Sequence, residues 1–464
     1  MSAIHEQAMN YVYQQVLQRL LGHFSREERT VLQLLIQRLI VAAGGIEHIG
    51  EYKVLLVHGA GKGSSYTLAF LRAAQLSIAG RAPKSFQLRV ATLRHVGMTQ
   101  TVLDNIHRGY SALFLYDDPR VELLTVENQE VLPFNHLRPV CVAAQDASRR
   151  NMLMIGHKND GDICASLCND GYLSLGDFYQ RVTSCNGGVH ALVSSDSPRK
   201  QNRYLAWLKR TTRGVISEDR GVRPISLSAL FADMDERRAA YYHEIYGPHY
   251  QSPLSTSKEH DRRLAYIGIA DLAGNTNRIA RHLLNDFMGY KPDAFAFRFS
   301  RPAYANPLLT AHLRGLQAEV LRGGDYRQGA MSFAEKAIAF LYGKQILELS
   351  SIQVGTKEGR MLAATYAREF YNLEEAQLVC LLYSPFLQQG QKLEVFLRRC
   401  HPGMLVALPE LHKVLQGKPG AEMIQQWVVH TSGLPLELLQ HLYRTSLPTD
   451  EPCRPHDQSR GQGR

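Results

Sequence analysis

Apolar residues recur at three- and four-residue steps over residues 4–24, where Met9, Val12, Val16, Leu20 and Phe24 share one helical face. Ser25-Arg26-Glu27-Glu28 follows with the spacing of a capping box, in which the Ser25 hydroxyl accepts from the Glu28 amide and Glu28 reaches back. A second helix is predicted over 26–43, ended by Gly44-Gly45. The chain therefore opens with a helical hairpin. The next hundred residues change period repeatedly. Lys53–Val57 is a compact apolar strand, Ser65–Ala79 has helical spacing and stops at Gly80, and Phe86, Leu88 and Val90 alternate as in a strand. Thr99–His107 is helical again, and Ser111–Tyr116 reads as a third strand. Strand and helix in alternation predict a Rossmann-like parallel sheet with helical crossovers, and the hairpin and this sheet together make a unit over 1–140.

Beyond Asp117-Asp118-Pro119, a turn, VELLTVENQEVLPF contains two short strand-like runs around Glu127-Asn128. Asn159-Asp160-Gly161 recurs as Asn169-Asp170-Gly171, between the runs NMLMIGHK, DICASLC and YLSLGDF. Asn, Asp and Gly accept the positive φ of hairpin turns, so 141–196 is predicted to be a small antiparallel β meander. A calcium loop is excluded there, because it needs more oxygen ligands at fixed steps and a closing Glu. Residues 197–263 read as a basic, polar connecting region, and 264–306 as a second α/β unit built from LAYIGIAD, a Gly-bearing turn, a helix over Asn277–Met288 and DAFAFRF at 293–299. Residues 307–446 are mainly helical, with apolar spacing over Leu308–Leu321, Ser332–Leu349, Gly359–Phe370, Leu373–Leu382 and Leu434–Tyr443. The tail 447–464 has almost no apolar content and reads as disordered. The fold class expected is mixed α/β.

Composition narrows the function classes. Of 464 residues, 45% are hydrophobic and 21% charged, which is globular composition. No apolar run approaches the roughly 20 residues that span a bilayer, so no membrane role is expected. The start MSAIHEQAMNYVYQQ has Glu6 and no apolar core of a secretory signal. Seven scattered cysteines suit reduced thiols, and the expected location is cytoplasmic. A formal charge of +10 favours anionic partners without naming one.

Two stretches carry candidate chemistry. In VLLVHGAGKGSS, residues 54–65, a strand runs into a turn with Gly59, Gly61 and Gly63, then Lys62, Ser64 and Ser65. Glycines let a backbone approach a ligand, hydroxyls cap a helix or donate to phosphate, and the helix start offers free amides and partial positive charge. The plain alternative is a capped βα turn. The pattern departs from the Walker loop, which needs Gly where Leu56 stands and Ser or Thr where Gly63 stands. It departs from G-x-G-x-x-G at Ser64, and Ala91-Thr92 and Arg94 replace the acidic residue expected after the second strand, which disfavours NAD. Residues 53–80 resemble the first unit of sugar-phosphate isomerase domains, which also run strand, G-x-G-K, Ser, helix and a closing Gly, here AAQLSIAG. This chain has the extra Gly63 between lysine and serine, and no second phosphate-binding serine loop. The resemblance implies a phosphate-binding turn.

The second stretch is SPRKQNRYLAWLKRTTRGVISEDRGVR, 197–223. Arg199, Lys200, Arg203, Trp207, Arg210 and Arg213 combine guanidinium groups with an aromatic ring, a set suited to nucleic-acid backbone and bases. A solvated basic helix with Trp207 turned inward explains the same residues. Other clusters carry less: His243-Glu244 with His249 lacks metalloprotease spacing, Cys164 and Cys168 have no second ligand pair, and Cys185 with His190 in SCNGGVH would be a thiol and base only if brought together in space, which spacing along the chain does not establish. No metal site, cofactor or catalytic residue is assigned. The sequence thus leads to a protein that binds a phosphorylated small molecule or nucleotide at Gly59–Ser65, as an enzyme or a ligand-sensing regulator. The alternatives are a nucleic-acid- or protein-binding module acting through 199–223 and the C-terminal helices, and a scaffold subunit of a larger assembly.

Overall fold

The computed structural model describes residues 3–161, 163–196, 201–202, 205–206, 226–250, 264–269, 282–291, 307–342 and 354–445. The predicted hairpin is α1 (Ala3–His23) and α2 (Arg26–Ala43). The capping box forms: the Glu28 amide donates to Ser25 Oγ at 3.2 Å and the Ser25 amide to Glu28 Oε2 at 2.8 Å. Glu28 is itself buried, because its other oxygen accepts from the Tyr66 hydroxyl at 2.7 Å. One carboxylate therefore caps α2 and fastens the hairpin to α3 (Lys62–Ala79).

Six strands form one sheet: β1 (Lys53–Val57), β2 (Gln87–Leu93), β3 (Val121–Glu127), β4 (Glu130–Pro133), β5 (Ala191–Ser194) and β6 (Ala265–Gly268). Their order is β4-β3-β2-β1-β5-β6, all neighbours parallel except the β3/β4 hairpin. Asn128 and Gln129 both have positive φ (47° and 67°), as the tight turn of that hairpin requires. Side chains alternate between two cores. Val54, Leu56, Leu88, Val90, Ala191 and Val193 face α1–α3 and the helix over 100–112, while Leu55, Ala91, Leu124, Val126 and Leu192 face the helices after residue 141. Burial on both faces explains why β1 reads as an unbroken apolar run.

Three sequence expectations need correction. Ser111–Tyr116 is not a strand: it covers the end of α4 (Gln100–Ala112) and a turn with Phe114 at φ 50°. Leu113 and Leu115 are buried and Phe114 and Tyr116 exposed, so the turn reproduces a strand's alternation, and the third parallel strand is β3. The meander over 141–196 is two helices, α5 (Val142–Lys158) and α6 (Ile163–Ser184), followed by β5. Met152 to Ile155 are all buried; the second half of α5 is enclosed on every side and has no polar stripe to betray its period. The first Asn-Asp-Gly reverses the chain between these helices, and the second lies within α6, as do Cys164 and Cys168. β6 pairs with β5, so it extends the first sheet instead of opening a second α/β unit. The strand expected at 293–299 lies outside the described residues, as does the tail.

The connecting region contains a helix, α7 (Leu227–Tyr246), with Ser226 as its cap. The helical remainder comprises α8 (Pro307–Leu316), α9 (Tyr326–Tyr342), α10 (Lys357–Tyr371), α11 (Glu375–Tyr383), α12 (Leu393–Cys400), α13 (Leu408–Leu415), α14 (Glu422–Ser432) and α15 (Leu436–Arg444). A π-helical turn, Gln317–Leu321, continues α8, and Tyr383 donates to its Val320 carbonyl at 2.6 Å. This half docks on the sheet's carboxyl edge: Tyr366 of α10 donates to the Gly97 carbonyl at 2.7 Å. A β-carbon at Gly97 would lie 2.6 Å from that hydroxyl and 2.7 Å from the Tyr371 hydroxyl. Among the described residues no helix is long and apolar enough to cross a membrane.

Arg72 of α3 is a fully buried polar link. It donates to Asp118 Oδ2 and Gln75 Oε1, both at 2.7 Å, and to the carbonyls of Leu113 at 3.0 Å and Phe114 at 2.9 Å. Burial lowers the Arg72 pKa, with Asp118 opposing it; Asp118 is held down to about 2 despite its own burial, because Arg120 and Arg72 bond it. Arg72→Met leaves Asp118 and two carbonyls short of donors, and is expected to cost about 3–5 kcal/mol in chemical denaturation. A loss under about 1 kcal/mol would contradict this account.

Candidate functional site

Strands are added to β1 in one direction through β2 and β3, and in the other through β5 and β6. The reversal falls at the carboxyl ends of β1 and β5, where open α/β sheets have the crevice that holds ligands. The loop after β1, His58–Gly61, and the first turn of α3 occupy it. Gly61 is the N-cap of α3 and supplies no side chain. The amides of Gly59, Gly61, Gly63 and Ser64 have no hydrogen-bond partner among the described residues, while the Ser65 amide begins the helical ladder on the Gly61 carbonyl at 2.9 Å. Gly59 and Gly63 are exposed, and Gly61 and Ser64 half-buried. Free amides thus meet solvent at the positive end of a helix of 18 residues.

The glycines do not serve the turn. The left-handed residue is Ala60, at φ 55°, and none of Gly59, Gly61 and Gly63 has positive φ. A β-carbon on Gly59 would meet nothing within 4 Å, and one on Gly61 only Ser64 Oγ at 3.7 Å. One on Gly63 would lie 3.1 Å from Ser195 Oγ, which places the end of β5 against the first turn of α3. Ser195 is half-buried and its hydroxyl has no partner among the described residues.

The serines do not act as the sequence suggests. Ser64 Oγ donates to the Gly61 carbonyl at 3.0 Å and caps nothing. Ser65 is fully buried beneath the loop, so it does not face a ligand. Its hydroxyl lies 3.0 Å from His58 Nε2 and 2.6 Å from the Tyr290 hydroxyl. The His58 carbonyl accepts from Thr92 Oγ1 at 2.8 Å, which fixes the end of β1 to β2. His58 is buried without an acidic neighbour, and burial lowers its pKa to about 3; the ring is neutral, and its Nδ1 has no partner. Sequence reasoning missed His58, Ser195 and Tyr290. His58 and Ser195 each follow an apolar strand, which is a signal of sorts, whereas Tyr290 has none.

The Lys62 side chain lies outside the described residues, and so do Arg199, Lys200, Arg203, Trp207, Arg210 and Arg213 of the basic stretch. Cys185 and His190 are not a nucleophile and base: Cys185 Sγ contacts the Val182 carbonyl at 3.9 Å, and His190 Nδ1 accepts from the Lys53 amide at 2.9 Å. Among the described residues no group of three or more His, Cys, Asp or Glu could hold a metal ion. An open groove of about 280 Å³ exists at the other end of α3, lined by Leu17, Leu21, Leu32 and Leu76 with Gln33 and Arg81, remote from this crevice. Comparison of the chain with known protein families, curated proteins and solved structures gives no match.

Three further imidazoles share the fate of His58: His157 is lowered to about 3 and His95 and His312 to about 4, in each case mainly by desolvation. The unfolded chain, with ordinary histidines near 6.5, binds protons more readily than the folded one, so stability rises with pH in this range. It is expected to be full above pH 6.5 and to fall, by up to about 1.4 kcal/mol per histidine per pH unit, as pH drops towards 4. Urea midpoints at pH 7.5, 6.0 and 5.0 test this; equal midpoints would show the rings to be protonated in the fold.

Proposed function

We propose that the turn Gly59–Ser64, with the Ser195 hydroxyl across the crevice, binds the phosphate of a phosphorylated small molecule or nucleotide. The mostly parallel strand order β3-β2-β1-β5-β6, which reverses at β1, supports a Rossmann-like reading, and in sheets of that kind phosphates sit on the helix that follows the first strand. The observation that carries the reading is the combination of unpaired amides with glycines that the turn itself does not need. Where no side chain of the protein crowds Gly59 or Gly61, what the missing β-carbon leaves room for is a ligand against the backbone. Ala60, a non-glycine in left-handed conformation, holds strain of about 1–2 kcal/mol at the same place, as binding loops do. The unpaired Ser195 hydroxyl adds a donor from the second strand end. Lys62, first residue of α3, brings positive charge to the sequence at this point. The pattern suits binding; no acid–base pair stands at the crevice to assign a reaction.

The chain is expected to gain thermal stability from inorganic diphosphate, nucleoside phosphates or sugar phosphates, with about 2.7 kcal/mol of linkage at a hundredfold excess over Kd. Gly59→Ala should leave the unliganded melting temperature unchanged, because the new methyl meets nothing. The same variant should abolish the shift. If no phosphate compound stabilises the wild-type chain, or Gly59→Ala keeps the response, the turn is a corner and not a site.

A further inference from the structure

The two ends of α3 differ in chemistry. Its carboxyl end borders the open groove of about 280 Å³, whose floor is four leucines from three helices: Leu17 and Leu21 of α1, Leu32 of α2 and Leu76 of α3. Leu32 and Leu76 are buried and Leu17 and Leu21 half-buried, so the floor is apolar and still reached by solvent. Gln33, Ser77 and Arg81 stand beside it, and their side chains have no hydrogen-bond or ion-pair partner among the described residues. A serine within a helix can bond the carbonyl four residues back, and an arginine just past a helix end can bond its last carbonyls. Ser77 and Arg81 do neither, so their bonding capacity is not spent on α3.

The groove's chemistry defines an occupant. Leucines from three helices suit an aliphatic chain, whose removal from water drives its binding. The charge at the rim is a guanidinium, and among the described lining residues none is acidic. The carboxyl end of a helix carries about half a negative charge, which the full charge of Arg81 outweighs. A guanidinium takes a carboxylate through two parallel N–H···O bonds, and the Gln33 amide and Ser77 hydroxyl are further donors. The volume holds about nine water-sized groups at ~30 Å³ each, the size of a chain of about eight carbons.

We propose that this groove binds a short aliphatic carboxylate, with the chain on the leucine floor and the carboxylate on Arg81. The site is separate from the phosphate reading of Gly59–Ser64 and does not depend on it.

The test is leucine-methyl NMR of the full-length chain, titrated with octanoate, 1-octanol and octylammonium. Octanoate is expected to shift the methyl signals of Leu17, Leu21, Leu32 and Leu76, with Kd on the order of a millimolar for a ligand of this size. Octanol should bind several-fold more weakly, and octylammonium more weakly still. Arg81 is exposed and its side chain bonds nothing among the described residues, so Arg81→Glu should melt as the wild type does. That variant removes an attraction and adds a repulsion; it should weaken octanoate by about tenfold and make octylammonium the tighter ligand. A wild-type chain whose four leucines ignore octanoate has no such site. Equal binding of octanoate and octanol shows apolar contact without recognition of the carboxylate, as a partner protein's leucine would also make, and overturns the proposal. Arg81→Glu with the wild-type order of ligands overturns it as well.

Discussion

Strand β1 is buried on both faces and paired on both edges, and most of the molecule follows from that. A strand so placed has no polar side to offer, so helices must cover it above and below, and its backbone must find parallel partners left and right. β2 supplies one partner directly through α3. The other, β5, arrives only after about 130 residues, once the chain has built β2, β3, β4, α5 and α6. Because those elements extend the sheet on one side, β5 has to dock on the other. The crevice at the carboxyl ends of β1 and β5 is the geometric remainder of that requirement, and the loop of residues 58–61 has nowhere else to go.

Polar groups buried by this arrangement are satisfied unevenly. Arg72 meets four acceptors and Glu28 serves a cap and a tyrosine, so α3 is fastened to the hairpin and to the β3 approach by groups that leave almost no bonding capacity unused. At the amino end of the same helix the balance is opposite. Amides, a serine hydroxyl and one imidazole nitrogen lack partners within a short stretch. A buried N–H without a partner costs about 1–3 kcal/mol. The contrast separates an end of α3 whose polar groups are satisfied within the protein from an end whose amides have no partner among the described residues.

Local signals in the sequence were faithful where one helix face or one cap decided the structure. The Ser25–Glu28 box, the strand Lys53–Val57, Thr99 at the start of α4 and the helical runs near 308–321, 359–370, 373–382 and 434–443 are legible, because each depends on neighbours within one or two turns, whereas the short helices Leu393–Cys400, Leu408–Leu415 and Glu422–Ser432 were not singled out. The errors share a cause as well. Residues 152–155 are enclosed on all sides, so α5 shows no period, and Asn159-Asp160-Gly161 supplies the same left-handed geometry to a helix–helix turn as to a hairpin. Leu113 and Leu115 are buried through a turn, not a strand. At the crevice, the glycine turn was visible, but its serines were given the wrong task. Ser65 looked like a ligand donor because nothing near it in the chain announces Tyr290, 225 positions away.

A serine 3.0 Å from an imidazole also invites a second chemical reading, that of a nucleophile and its base. Three features argue against it. A nucleophile must reach its substrate, and Ser65 has no exposed surface, with α3 on one side and Tyr290 on the other. A catalytic imidazole is usually oriented by a carboxylate on its far nitrogen, and His58 Nδ1 meets none. The base also has to accept a proton near neutral pH, whereas burial without a compensating charge keeps His58 neutral down to about pH 3. The same three features describe a structural link. A neutral ring and a serine, both without exposed surface, tie the end of β1 to the first turn of α3 without titrating or reacting across the working range.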